Sequence, residues 1–109
     1  MTPLHRGQRE RLPMRRFHGS FRFRIESIDY TAGIGRIDAH GRVAEIWLNA
    51  GKAGSSMETL ANDAAIMASL LLQYGCPLDV IRSALTRNPD GTAAGPIAMA
   101  LDEIAKEEA

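Results

Sequence analysis

The sequence predicts an α+β fold, a three-stranded antiparallel meander followed by three helices packed on one face. Three observations carry that reading. Apolar and polar residues alternate in short runs between Phe21 and Leu48, which is the two-residue period of half-buried strands. From Ser55 the spacing of apolar residues changes to that of a helix. Strands therefore come first and helices afterwards, and such an order places the helices over one face of the sheet.

The elements follow in chain order. Phe21, Phe23 and Ile25 share one face of a first strand, with Arg22, Arg24 and Glu26 on the other. Ser27-Ile28-Asp29 is expected to turn the chain into a second strand, Tyr30 to Ile37. Gly33 and Gly35 fall on one face of that strand, a sign of a bulge or of close backbone approach. Asp38-Ala39-His40-Gly41 reads as a hairpin loop, and Val43 to Leu48 as a third strand. Ser55-x-x-Glu58 is a capping box that opens a long helix. Met57, Leu60, Ala61, Ala64, Met67, Ala68 and Leu71 form one stripe on it, and Ile66, Leu70 and Leu72 add a second apolar side. A helix with that much apolar circumference is expected to be buried centrally or against another subunit. Gly75 is a left-handed cap. Pro77 starts a second helix that runs to about Thr86. Asn88-Pro89-Asp90-Gly91 is a turn, and Pro96 opens a third helix with Ile97, Ala100, Leu101 and Ile104 inward. Its glutamate-rich end is expected to fray.

At 109 residues the chain is one domain, large enough to bury roughly 65% of its unfolded surface. Its single cysteine, Cys76, cannot form an internal disulfide, which fits a reducing cytoplasm. There is no apolar run of about 18 residues to span a membrane, and no apolar segment behind the N-terminal arginines to make a secretory signal. The charges are unevenly spread. Residues 1–24 hold seven arginines and one glutamate, and the remainder holds six basic and twelve acidic residues. Residues 1–18 are read as a basic, flexible arm and residues 19–109 as the folded domain.

Two groups of residues are candidates for binding. Gly51, Lys52, Gly54, Ser55 and Ser56 lie where a strand turns into a helix, where free amides and a lysine can hold a phosphate-containing ligand. The order of these residues is wrong for a nucleotide-hydrolysing phosphate loop, which needs its lysine and hydroxyl at the helix start. A structural turn and cap is the favoured reading of that loop. Arg9, Arg11, Arg15 and Arg16 are the second group, as contacts to a nucleic acid or a protein partner. Nucleic acid is disfavoured, because Phe21 and Phe23 are committed to the core and only Phe17 is left to stack on bases. His5, His18, His40 and Cys76 have no paired spacing, so no metal site and no cofactor is expected. No nucleophile–base arrangement is found, so no catalytic residue is named.

The stretch Gly51-Lys52-Ala53-Gly54-Ser55, the helix ending in Gln73-Tyr74-Gly75-Cys76-Pro77-Leu78, and the later Gly95-Pro96-Ile97 together resemble the TSCPD domain. That domain is found near the C-terminus of cobalamin-dependent ribonucleotide reductases and as small stand-alone bacterial proteins. The resemblance covers about residues 19 to 105. It implies an accessory module without autonomous reductase activity, because the chain is too short to contain the reductase barrel and one cysteine cannot cycle a dithiol. Gly51, Lys52, Gly54 and Ser55 correspond to the family loop and carry no catalytic role. The largely apolar helix from Met57 to Tyr74 and the open edges of a three-stranded sheet predict further copies of the chain as partners, and the resemblance implies the catalytic chain of a split ribonucleoside-diphosphate reductase, acting in deoxynucleotide synthesis. A phosphate- or nucleotide-binding protein using residues 51–56 remains the alternative.

Overall fold

A computed structural model describes residues 9, 12, 17–36, 41–51 and 54–108. Three strands, β1 (Phe17–Ile25), β2 (Ile28–Arg36) and β3 (Val43–Ala50), precede three helices, α1 (Ser56–Gln73), α2 (Leu78–Ala84) and α3 (Pro96–Glu108). The strands lie in the order β1-β2-β3 and both pairs are antiparallel, which is the predicted meander. Most of the predicted arm lies outside the described residues, as do Lys52 and the tip of the predicted Asp38–Gly41 loop.

The first hairpin is tighter than expected. Ile25 pairs directly with Ile28, so the turn is Glu26-Ser27 rather than Ser27 to Asp29. Both turn residues have positive φ, 49° and 71°. Such a two-residue loop matches the right-handed twist of the flanking strands, and it usually carries asparagine and glycine. Here the half-buried pair Ile25 and Ile28 sets the register instead. The strand pattern thereby extends inward through Ile28, Tyr30, Ala32 and Ile34, of which the last three are buried. β1 also starts at Phe17, four residues before the alternation becomes visible in the sequence.

The predicted irregularity at the paired glycines is present. The register of β2 against β3 shifts between Gly35 and Arg36, and Val43 and Ala44 are consecutively buried there. A Cβ on Gly33 would stand 3.0 Å from the Trp47 ring, and one on Gly35 would stand 2.5 Å from the Glu45 carboxylate. The two neighbours lie over the glycines, so this is close approach as well as a bulge.

Tyr30, Leu48, Leu101 and Ile104 are the large, fully buried apolar side chains that join the sheet to the helical layer. Phe23 stacks on Tyr30 with ring centroids 5.4 Å apart, so it closes the core at the hairpin end. On α3, Ala100, Leu101 and Ile104 face inward as predicted, with Ile97 partly buried against them. The Asn88–Gly91 turn is also present: the Gly91 amide donates to the Asn88 carbonyl at 2.8 Å. α2 ends at Ala84, two residues before the expected boundary.

Helix α1 departs most from expectation. Its buried side is the small one: Ala61, Ala65 and Ala68 with Leu72 and Gln73. Small side chains let the helix axis approach β3 closely, while the strands supply the bulk through Ile46 and Leu48. Met57, Leu60, Met67 and Leu71, expected to be buried centrally or against another subunit, are exposed in the single chain, and so is Ile66. Within one chain the helix is therefore buried on one side only. Its end follows the prediction. Gly75 has φ 92°, the Cys76 amide donates to the Leu71 carbonyl at 2.9 Å, and the Gly75 amide donates to the Leu72 carbonyl at 3.0 Å. These two bonds satisfy carbonyls that the helix itself leaves open.

Candidate functional site

The loop before α1 is built as a cap. The Glu58 amide donates to the Ser55 hydroxyl at 3.2 Å, and the Glu58 carboxylate accepts from the Gly54 amide at 2.9 Å. The glutamate thus reaches one residue further back than in the standard capping box. Two of the amides that could receive an anion are occupied, and one of them is held by a carboxylate. Gly51 lies apart from this cap, on a shallow cavity of about 410 Å³ at the hairpin end, with Arg22, Thr31 and Asn49. Ser56 is the first residue of the helix and is exposed. Lys52 lies outside the described residues. Among the described residues, Gly54, Ser55 and Glu58 are thus brought together and Gly51 is not.

In that cavity Arg24 and Asp29 neutralise one another. Arg24 Nε donates to Asp29 Oδ1 at 2.7 Å, and Arg24 Nη2 donates to Asp29 Oδ2 at 3.2 Å. The hydrogen bond from Arg24 holds the Asp29 carboxyl below its usual range. On the same open face of the sheet, Trp47 is 43% exposed and meets His18 edge-on at 5.5 Å. Trp47 is the exposed aromatic that sequence reasoning missed. Its outward position follows from the alternation of β3, in which Ile46 and Leu48 point inward.

The inner side of α1 carries two polar side chains beside its alanines and Leu72. The Ile46 amide donates to the Ser69 hydroxyl at 2.9 Å, and that hydroxyl donates back to the Ile46 carbonyl at 3.1 Å. Gln73, 2% exposed, donates from Nε2 to the Ala44 carbonyl at 3.1 Å. β3 is the last strand of the sheet, so α1 satisfies backbone groups that an edge strand would otherwise present to another chain. Arg9 donates from Nε to Gln73 Oε1. The structure therefore places this arginine of the predicted contact group at the C-terminal end of α1, where a positive charge complements the helix dipole. Arg11, Arg15 and Arg16 lie outside the described residues.

The outer side of α1 is a surface of a different kind. Met57, Leu60, Met67, Leu71 and Tyr74 are all at least 40% exposed, with Leu60 at 65% and Met67 at 60%. Together with Ala64 they recur at intervals of three and four residues. That interval keeps a single stripe along a helix, the arrangement that packs against another helix. Glu58 and Asp63 are the only formal charges between Ser56 and Gln73. The stripe is the largest set of exposed bulky apolar side chains on any one element among the described residues.

A cluster of charges ties the C-terminal helices together. Arg87 grips Asp102 with both ends of its guanidinium, at 2.5 and 2.9 Å, and Arg82 Nε adds a bond at 2.8 Å. Arg87 also donates to the Arg82 carbonyl at 3.1 Å, which fixes the loop after α2. The bonds from Arg87, then from Arg82, hold the Asp102 carboxyl down at about 2 against desolvation. A carboxyl depressed in the folded state contributes stability that is complete above about pH 4 and is lost as pH falls toward 2. Denaturant titrations at about pH 6 and about pH 2.5 should differ by about 1–2 kcal/mol from this group, after allowance for solvent screening. Asp102→Asn should remove that part of the difference while lowering stability at pH 6.

Among the described residues no group of three or more histidines, cysteines or carboxylates could hold a metal ion, and no helix is long and apolar enough to cross a membrane. Cys76 is half-buried, with Sγ 3.8 Å from the Pro77 carbonyl. No family model, curated protein or solved structure matches this chain.

Proposed function

We propose that this chain is a non-catalytic interaction module of the TSCPD accessory kind, and that it works by self-association through the outer face of α1. The observation that carries the reading is the exposed stripe Met57, Leu60, Met67, Leu71 and Tyr74. Contiguous apolar surface of this sort on a folded domain marks a binding face, because leaving it in water forgoes its burial. The inner face of α1 is already committed to the sheet, so the outer face is available without unfolding any part of the domain. The family side of the reading rests on the residue pattern from Gly51 to Leu78 and at Gly95 to Ile97.

Sedimentation velocity over a concentration series tests it. The wild-type chain should sediment as a dimer or larger species at high concentration. Met67→Lys should weaken association at least about tenfold, since a charge would have to be buried on contact. Because Met67 is exposed in the single chain, its substitution should leave the circular dichroism and the denaturation midpoint within about 0.5 kcal/mol of wild type. A wild-type chain that stays monomeric at every concentration defeats the proposal.

A further inference from the structure

We infer that the open face of the sheet, on the side away from the helices, binds a small aromatic carboxylate. The cavity at the hairpin end supplies the charged half of the site. Its volume of about 410 Å³ falls in the range of small-molecule sites. Arg22 pairs with Thr31 across β1 and β2, and Thr31 pairs with Asn49 across β2 and β3, so the three form one row over the sheet. All three line the cavity, and among the described residues their side chains have no hydrogen-bond or ion-pair partner. Arg24 and Asp29 form the neighbouring row and satisfy one another through two bonds.

Charge complementarity selects the ligand. Two guanidiniums and one carboxylate line the cavity, which leaves a single uncompensated positive charge, on Arg22. One negative charge balances it, and the planar fork of a guanidinium matches the two oxygens of a carboxylate. Thr31 and Asn49 add a hydroxyl and an amide as neutral donors.

The aromatic half comes from the row on the other side, Ser20, Gly33 and Trp47. Trp47 follows two residues before Asn49 on β3, about 7 Å along the strand. Glycine at position 33 lets the indole lie against the sheet, where a Cβ would stand 3.0 Å from the ring. His18 braces the indole edge-on at 5.5 Å. A ring held in this way and still 43% exposed can take a second flat ring at little conformational cost. The spacing suits an aromatic ring joined to its carboxylate by a short chain.

Trp47 is the one tryptophan of the chain, so its indole N–H resonance reports on this site alone. The full chain is titrated with 3-phenylpropionate, and separately with acetate and 3-phenylpropanol, each of which carries half of the chemistry. The expected result is a saturable shift with 3-phenylpropionate and at least about tenfold weaker binding of either half. Arg22→Met should weaken 3-phenylpropionate at least about tenfold, whereas Lys106→Ala on α3 should leave it unchanged. Asp29→Asn frees Arg24 to join Arg22 and should tighten binding severalfold, which loss of a merely structural ion pair would not do. All three substituted residues are exposed, so the fold should be retained, as circular dichroism verifies. No saturable shift at tens of millimolar, or equal binding of 3-phenylpropanol, overturns the site. Tighter binding of phenyl phosphate overturns the choice of a carboxylate. Either failure leaves self-association through α1 standing, because the outer side of that helix takes no part in this site.

Discussion

Leu101→Ala should destabilise the domain by about 3–4 kcal/mol, within the range that buried leucine truncations give. Leu101 is fully buried on α3, beside Ala100 and Ile104, and its side chain belongs to the single core shared by the sheet and α1. The α3 backbone is held from both sides. Pro96 sets its first turn, and the bonds from Arg82 and Arg87 to Asp102 fix the residue next to Leu101. The helix therefore cannot move inward to close the space left behind. A domain of this size has about 5–15 kcal/mol in total, so the melting temperature should fall by more than about 10 °C. Thermal unfolding followed by circular dichroism measures it, with exposed Val80→Ala as a control expected within about 0.5 kcal/mol of wild type. A loss below about 1 kcal/mol at Leu101 would mean that α3 is not closely packed on the sheet.

Gln73→Leu should cost about 2–3 kcal/mol even though it places an apolar side chain in a buried position. The Ala44 carbonyl loses its donor, and no water can readily reach a site where the glutamine itself is 2% exposed. Arg9 loses its acceptor as well, but it is exposed and can turn to solvent. Most of the penalty should therefore persist in the double variant Arg9→Ala, Gln73→Leu, and Arg9→Ala alone should cost less than about 1 kcal/mol. Hydrogen exchange offers a second reading of the same contact. Faster exchange of the Ile46 amide in Gln73→Leu would show that loosening at Gln73 propagates to Ser69, four residues earlier on the helix.

The strand and helix order was legible in the sequence because alternation and helical spacing report burial directly, and the described residues form three strands followed by three helices. The Glu26-Ser27 turn was not legible, because neither residue is the glycine or asparagine that announces positive φ. Which apolar side of α1 faces the sheet was also hidden. Alanine and leucine both count as apolar, and only the bulk contributed by Ile46 and Leu48 on the facing strand decides that the alanines go inside. The roles of Ser69 and Gln73 were not legible, since their partners lie 23 and 29 residues earlier in the chain. The Arg82–Arg87–Asp102 cluster was invisible for the same reason: its members meet only after two helices have folded against each other. At the loop, the cap was readable from Ser55 and Glu58, and the structure adds that the carboxylate holds the Gly54 amide.

The seal that α1 places along Ala44 and Ile46 limits how such molecules can accumulate. Endless stacking by backbone pairing requires every unit to accept a neighbour on one flank and offer an equivalent flank to the next. Here one flank is already taken by a hydroxyl and an amide from within the same molecule. Strand-to-strand addition along Ala44 and Ile46 would first have to displace them. Ser69→Val, by stripping that seal, would be the change to watch for turbidity.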